Sequence, residues 1–151
     1  MKKMMKKTLI SVFALSVALN GIPVSMTAEA TGDIIDLVSA NVALDDSISL
    51  RFYATKESVD AANIQSVTLT GPNDNITYTS YEKKGNNYVF SYPLYATQLG
   101  EKVSIRFNGS DKAIEIDAAT EDPYIYSYTV YDYCDYIKQR SQQYNNNNNK
   151  N

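Results

Sequence analysis

From Ile35 onward, apolar residues recur at every second position, and turn-forming residues interrupt the alternation about every ten residues. Ile48, Leu50 and Phe52 alternate with Ser49, Arg51 and Tyr53. Val67 and Leu69 alternate with polar neighbours, as do Val103, Ile105 and Phe107, and then Ile114 and Ile116. A period of two sends successive side chains to opposite faces, so each segment reads as a strand with one core face and one wet face. The pattern predicts strands over residues 35–44, 47–55, 65–70, 75–80, 87–92, 102–108 and 112–117, with turns at Asp45-Asp46, at Gly71-Pro72-Asn73-Asp74 and at Gly109-Ser110-Asp111. The strands over 75–80 and 87–92 flank Lys83-Lys84-Gly85-Asn86 and read as a hairpin. Residues 56–64 break the alternation and are expected to form one helical turn or a crossover between sheets. The predicted class is all-β: an immunoglobulin-like antiparallel β-sandwich of about seven strands over residues 31–129, followed by one C-terminal α-helix.

The period changes after Pro123. Tyr124, Tyr126 and Tyr128 lie two apart, as on a strand, but Val130, Tyr133, Cys134 and Ile137 follow helical spacing. Thr129-Val130-Tyr131-Asp132 fits a capping box, so the spacing predicts a helix over 130–144 whose inner face is Val130, Tyr133, Cys134 and Ile137. Cys134, the lone cysteine, is expected there as a small buried apolar side chain. The asparagine-rich stretch 145–151 has nothing apolar to bury and is expected to be disordered.

The first thirty residues differ from the rest. Lys2, Lys3, Lys6 and Lys7 precede an uncharged run from Leu9 to Leu19, and Ala28-Glu29-Ala30 supplies a small-x-small cleavage pattern. Residues 1–30 are therefore predicted to be a signal peptide, giving a secreted or cell-surface chain that begins at Thr31 and keeps no membrane span. Losing those four lysines and Glu29 leaves ten basic residues against sixteen acidic ones, a net charge of −6. The remaining cations are scattered apart from Lys83-Lys84, which argues against nucleic acid as a partner.

Two steps of the chain carry a resemblance. Leu44, Ile48, Leu50, Phe52 and Tyr53 form an opening strand, and Tyr126, Ser127, Asp132 and Tyr133 form a closing step into helix. Together they resemble an uncharacterised immunoglobulin-like module in secreted and surface proteins of clostridial gut bacteria. The resemblance implies the same sandwich and no catalytic residues. Because those proteins continue through more helix, it also implies that this chain is a truncated relative.

Chemistry is bounded mainly by what is missing. The sequence has no histidine, which removes the His-dependent nucleophile systems and the usual zinc sites. No phosphate loop, CxxC pair or dinucleotide fingerprint occurs, so no cofactor is expected. Asp45-Asp46, Asn73-Asp74-Asn75 and Glu121-Asp122 are oxygen-rich turns without the spacing of a dedicated calcium loop, and they read as solvated turn residues with no metal. The carboxylates show no arrangement that would fix a catalytic pair, so the chain is not expected to be an enzyme. Thirteen tyrosines remain. Tyr53, Tyr78, Tyr81, Tyr88, Tyr92 and Tyr95 fall at outward positions or near loops, while Tyr131 and Tyr136 lie on or beside the helix's polar face. Tyr53, Tyr88, Tyr92, Tyr131 and Tyr136 are the candidate ligand contacts. The expected function is an extracellular binding or adhesion module for a protein or glycan; the alternative is a structural spacer or fragment with no ligand of its own.

Overall fold

The computed structural model describes residues 34–148. The predicted signal peptide and residues 149–151 of the predicted tail lie outside that range. The alternating segments form ten strands: β1 (Ile34–Ile35), β2 (Leu37–Leu44), β3 (Ile48–Thr55), β4 (Ser66–Thr70), β5 (Ile76–Tyr78), β6 (Glu82–Lys84), β7 (Asn87–Leu94), β8 (Val103–Asn108), β9 (Ala113–Ile116) and β10 (Tyr126–Tyr128). Two helices, α1 (Lys56–Ala61) and α2 (Val130–Asn148), complete the described chain, with a single 3-10 turn at Ala96–Gln98. One sheet runs β2-β3-β7-β6. The other runs β1-β9-β8-β4-β5, with β10 also paired to β8. All pairings are antiparallel except β1 with β9.

The two sheets share one core. Leu50, Phe52, Phe90 and Tyr92 from the first meet Val67, Leu69, Ile105 and Phe107 from the second, all fully buried. Phe90 and Phe107 make the join across the sheets visible: their rings meet edge to face with centroids 5.5 Å apart. Each such side chain contributes about 1.5–3 kcal/mol by leaving water, so the facing rows dominate the stability.

Three local features differ from the sequence expectation. The single strand expected over 35–44 is split at Asp36, with β1 in one sheet and β2 in the other. Its backbone is diverted there: the Asp36 N–H donates to Ser58 Oγ (3.1 Å), and the Asp36 carbonyl accepts from Thr55 N–H (3.0 Å). The hairpin expected between 75–80 and 87–92 is not formed. Instead β5 returns onto β4 through the Gly71–Asn75 turn, and β6 pairs with β7 around Gly85, whose φ of +63° favours glycine. The third difference is length. α2 continues to Asn148, through residues expected to be disordered.

Residues 56–64 do contain a helical turn that is also a crossover. α1 is capped by Thr55, whose Oγ1 accepts from Ser58 N–H (3.3 Å), and it carries the chain from β3 in one sheet to β4 in the other. α2 starts where the capping box placed it. The Asp132 N–H donates to Thr129 Oγ1 (3.0 Å), and the Thr129 N–H donates to the Asp132 carboxylate (2.8 Å). Beyond its first turn the helix leaves the sheets. Val130 is buried and Tyr133 half-buried, but Cys134 and Ile137 are exposed, so the predicted inner face is covered only at its start. Cys134 is therefore not the core residue expected. Neither described helix is long and apolar enough to cross a membrane.

Candidate functional site

Three of the five candidate tyrosines are not available to a ligand. In β7, Tyr88 and Tyr92, expected at outward positions or near loops, instead point inward together with Phe90 and Leu94, and Tyr92 is 0% exposed. Each buried phenol keeps a polar tip at the rim of the core, as a buried tyrosine must. Tyr88 donates to Asp60 Oδ1 (2.9 Å), and the hydrogen bond from Lys56, with that from Tyr88 second to it, holds the Asp60 carboxyl below its usual value. Tyr53 does lie on the outer face of β3, but its neighbours cover it. Ser39 and Val89 stand opposite on the flanking strands, and the Lys84 ammonium sits 5.9 Å above the ring. Tyr131 and Tyr136 are exposed as expected. Tyr131 lies over Gly100, where a Cβ would come within 3.0 Å of its ring, and Arg140 sits 5.9 Å from the Tyr136 ring. These two rings are on a protruding helix and line no described cavity.

The most built feature lies at one end of the two sheets, where the turn between β2 and β3, the turn between β4 and β5, and the end of β7 meet. They enclose a cleft of about 580 Å³. Ile48, Ile76 and Leu94 form its apolar floor, and Asp46, Asp74 and Tyr95 line it from the exposed turns. Tyr95 is 70% exposed, although it lies only three residues from the wholly buried Tyr92. Pro93 shares the outward face of β7, and Tyr95 follows the last strand residue, so its ring escapes the core.

Buried side chains hold these turns in place. The Tyr92 hydroxyl accepts from Asn73 N–H (2.9 Å) and donates to the Asp74 carbonyl (3.2 Å), tying the β4–β5 turn to β7. Gly71 makes this possible, because a Cβ there would fall 2.6 Å from the Tyr92 ring. The Asn73 side chain donates to the Pro93 carbonyl and to Gln98 Oε1 (both 3.2 Å), and its Oδ1 accepts from Gln98 Nε2 (2.9 Å). Gln98 Oε1 also accepts from Tyr95 N–H (3.0 Å), which fixes the backbone from which the Tyr95 ring projects. The amides around the cleft are thus engaged in holding its shape. The Asp46 and Asp74 carboxylates have no partner among the described residues. Arg51 pairs with the adjacent Asp45 instead.

The tertiary fold therefore brings together two of the three oxygen-rich turns singled out in the sequence, and Glu121-Asp122 stays apart from them. Among the described residues no three or more carboxylate or cysteine side chains gather as a metal-binding group. Tyr95 was visible in the sequence only as one of six tyrosines at outward positions or near loops. Its distinguishing signal was its place just after the β7 proline and at the start of a turn.

No protein-family model, curated protein or solved structure matches this chain.

Proposed function

We propose that the chain is a secreted, non-catalytic protein with an immunoglobulin-like β-sandwich, acting as an extracellular binding or adhesion module for a protein or glycan. The observation that carries this reading is the pre-organised cleft with an exposed aromatic ring. A ligand entering it meets turns whose ordering by Tyr92, Asn73 and Gln98 precedes binding, so little conformational entropy is lost on association. The two facing sheets and short turns supply a rigid frame for such a site. Export is supported by the basic and apolar leader pattern in residues 1–30.

The test begins with expression of the whole chain in a Gram-positive host. N-terminal sequencing of protein recovered from the medium should read from Thr31, and an uncleaved chain retained with the cells would refute export. The recovered protein, immobilised and screened against arrayed glycans and surface proteins, should retain a ligand that is lost on Tyr95→Ala. The exposed outer stretch of α2 favours a second reading, a structural spacer whose helix docks elsewhere. That reading expects no ligand on either array and strong binding of an apolar dye to the helix.

A further inference from the structure

The chemistry of the cleft narrows the class of ligand, and this step rests on the cleft being the binding site. Its floor is aliphatic, from Ile48, Ile76 and Leu94. Its two unpaired charges, Asp46 and Asp74, are both negative, and no lysine or arginine lines it. An ionised carboxylate only accepts hydrogen bonds. The nearby amides of Asn73 and Gln98 are bonded to one another and to backbone, and being neutral they bring no positive charge to balance the two anions. Tyr95, 70% exposed, lines the same cleft, and the π face of an aromatic ring attracts cations. Beyond the cleft, the chain from Thr31 carries a net charge of −6, which draws cationic partners inward at low ionic strength.

We infer that the cleft takes a lysine or arginine side chain presented by an extended basic segment of a partner protein. The hydrocarbon stem of such a residue lies on the aliphatic floor, and its charged head reaches the carboxylates at the rim, the division of labour that long basic side chains favour. An anionic glycan would be repelled by the two carboxylates, and a neutral sugar, although its hydroxyls can donate to them, brings no opposite charge. With about 580 Å³ available, one long side chain and its neighbouring peptide units fit within the space.

The test uses the exported chain in EDTA at low and at physiological salt. The probes are three capped pentapeptides identical except for a central lysine, norleucine or glutamate, with cellotetraose as a neutral sugar. Binding is followed by amide chemical shifts. The lysine peptide should bind at least ten-fold more tightly than norleucine, shift amides in residues 46–48, 73–76 and 94–96, and weaken as salt rises. Asp46→Asn with Asp74→Asn should abolish that preference without lowering the melting temperature, since both carboxylates are exposed and unpaired. Equal binding of lysine and norleucine peptides, or a preference that survives the double substitution, overturns the inference. Cellotetraose binding in the cleft with no response to lysine overturns it too, while leaving the binding-module reading intact. Absence of any shift in the cleft with all four probes, combined with no ligand on the arrays, overturns both.

Discussion

In β7, Tyr88 and Tyr92 turn their rings into the core and fasten α1 and the β4–β5 turn with their hydroxyls, whereas in α2 Tyr136 and Tyr144 stand exposed on a helix that has left the sheets. Both regions are rich in the same residue, but only the first has a second sheet facing it. A tyrosine inside a two-sheet core contributes both apolar area and an anchored hydroxyl, and the turns it holds become rigid enough to shape a cleft. A tyrosine on an unaccompanied helix contributes little beyond helix propensity. Tyr95 combines the two situations, since its backbone is fixed by the core-anchored network while its ring is free.

This contrast can be broken most severely at Tyr92. Tyr92→Ala removes a fully buried ring and both of its hydroxyl contacts, and it should destabilise the chain by about 3–5 kcal/mol in chemical denaturation. Gly71→Ala tests the same clamp from the opposite side. Its new Cβ would meet the Tyr92 ring at 2.6 Å, so a loss of about 1–3 kcal/mol is expected, together with altered amide shifts around the cleft. An unchanged melting curve for either variant would show that the turn is not held as described.

At the other region, Thr129→Ala removes the cap of α2 and should cost about 1 kcal/mol, read as helical signal lost at lower temperature while the sheet signal persists. Alkaline titration sharpens the boundary between the regions. Burial, helped by Tyr126 and Asp132 nearby, pushes the Tyr128 phenol up to about 12. The fold therefore favours the neutral phenol. Its contribution is complete below the ordinary tyrosine value and fades as pH rises toward the folded-state value, so tyrosinate absorbance for Tyr128 should appear late in the titration, and Tyr128→Phe should reduce that late phase. The smallest effect is expected at Tyr136 and Ile137, where substitution by alanine should change stability by no more than about 0.5 kcal/mol. A larger loss at Ile137 would mean that α2 is covered in solution.

Much of the fold was legible because the signals were local. The period of two marked strands that the structure contains, residues 56–64 broke it at the crossing between sheets, and Thr129 with Asp132 marked the start of α2. What failed were statements about partners. The 75–80 strand was paired with the wrong neighbour, because a strand's own pattern does not say which edge it joins. Tyr88 and Tyr92 were expected outside or near loops, yet the alternation of Tyr88, Phe90, Tyr92 and Leu94 with Asn87, Val89, Ser91 and Pro93 marks them as the apolar face. The polar phenol hydroxyls misled, because the groups that satisfy them lie far away in sequence. Cys134 and Ile137 had helical spacing suited to burial, but no element arrived to cover them.

By itself, then, the sequence determined the β-rich class, the crossing at α1 and the capped start of α2, all of which follow from side-chain period and backbone capping within a few residues. Only the tertiary structure decided which tyrosines are buried and that the Asp46 and Asp74 turns meet at one cleft, with Tyr95 beside them. The reason is physical: burial and cleft formation depend on which surface lies opposite, and that surface belongs to strands tens of residues away.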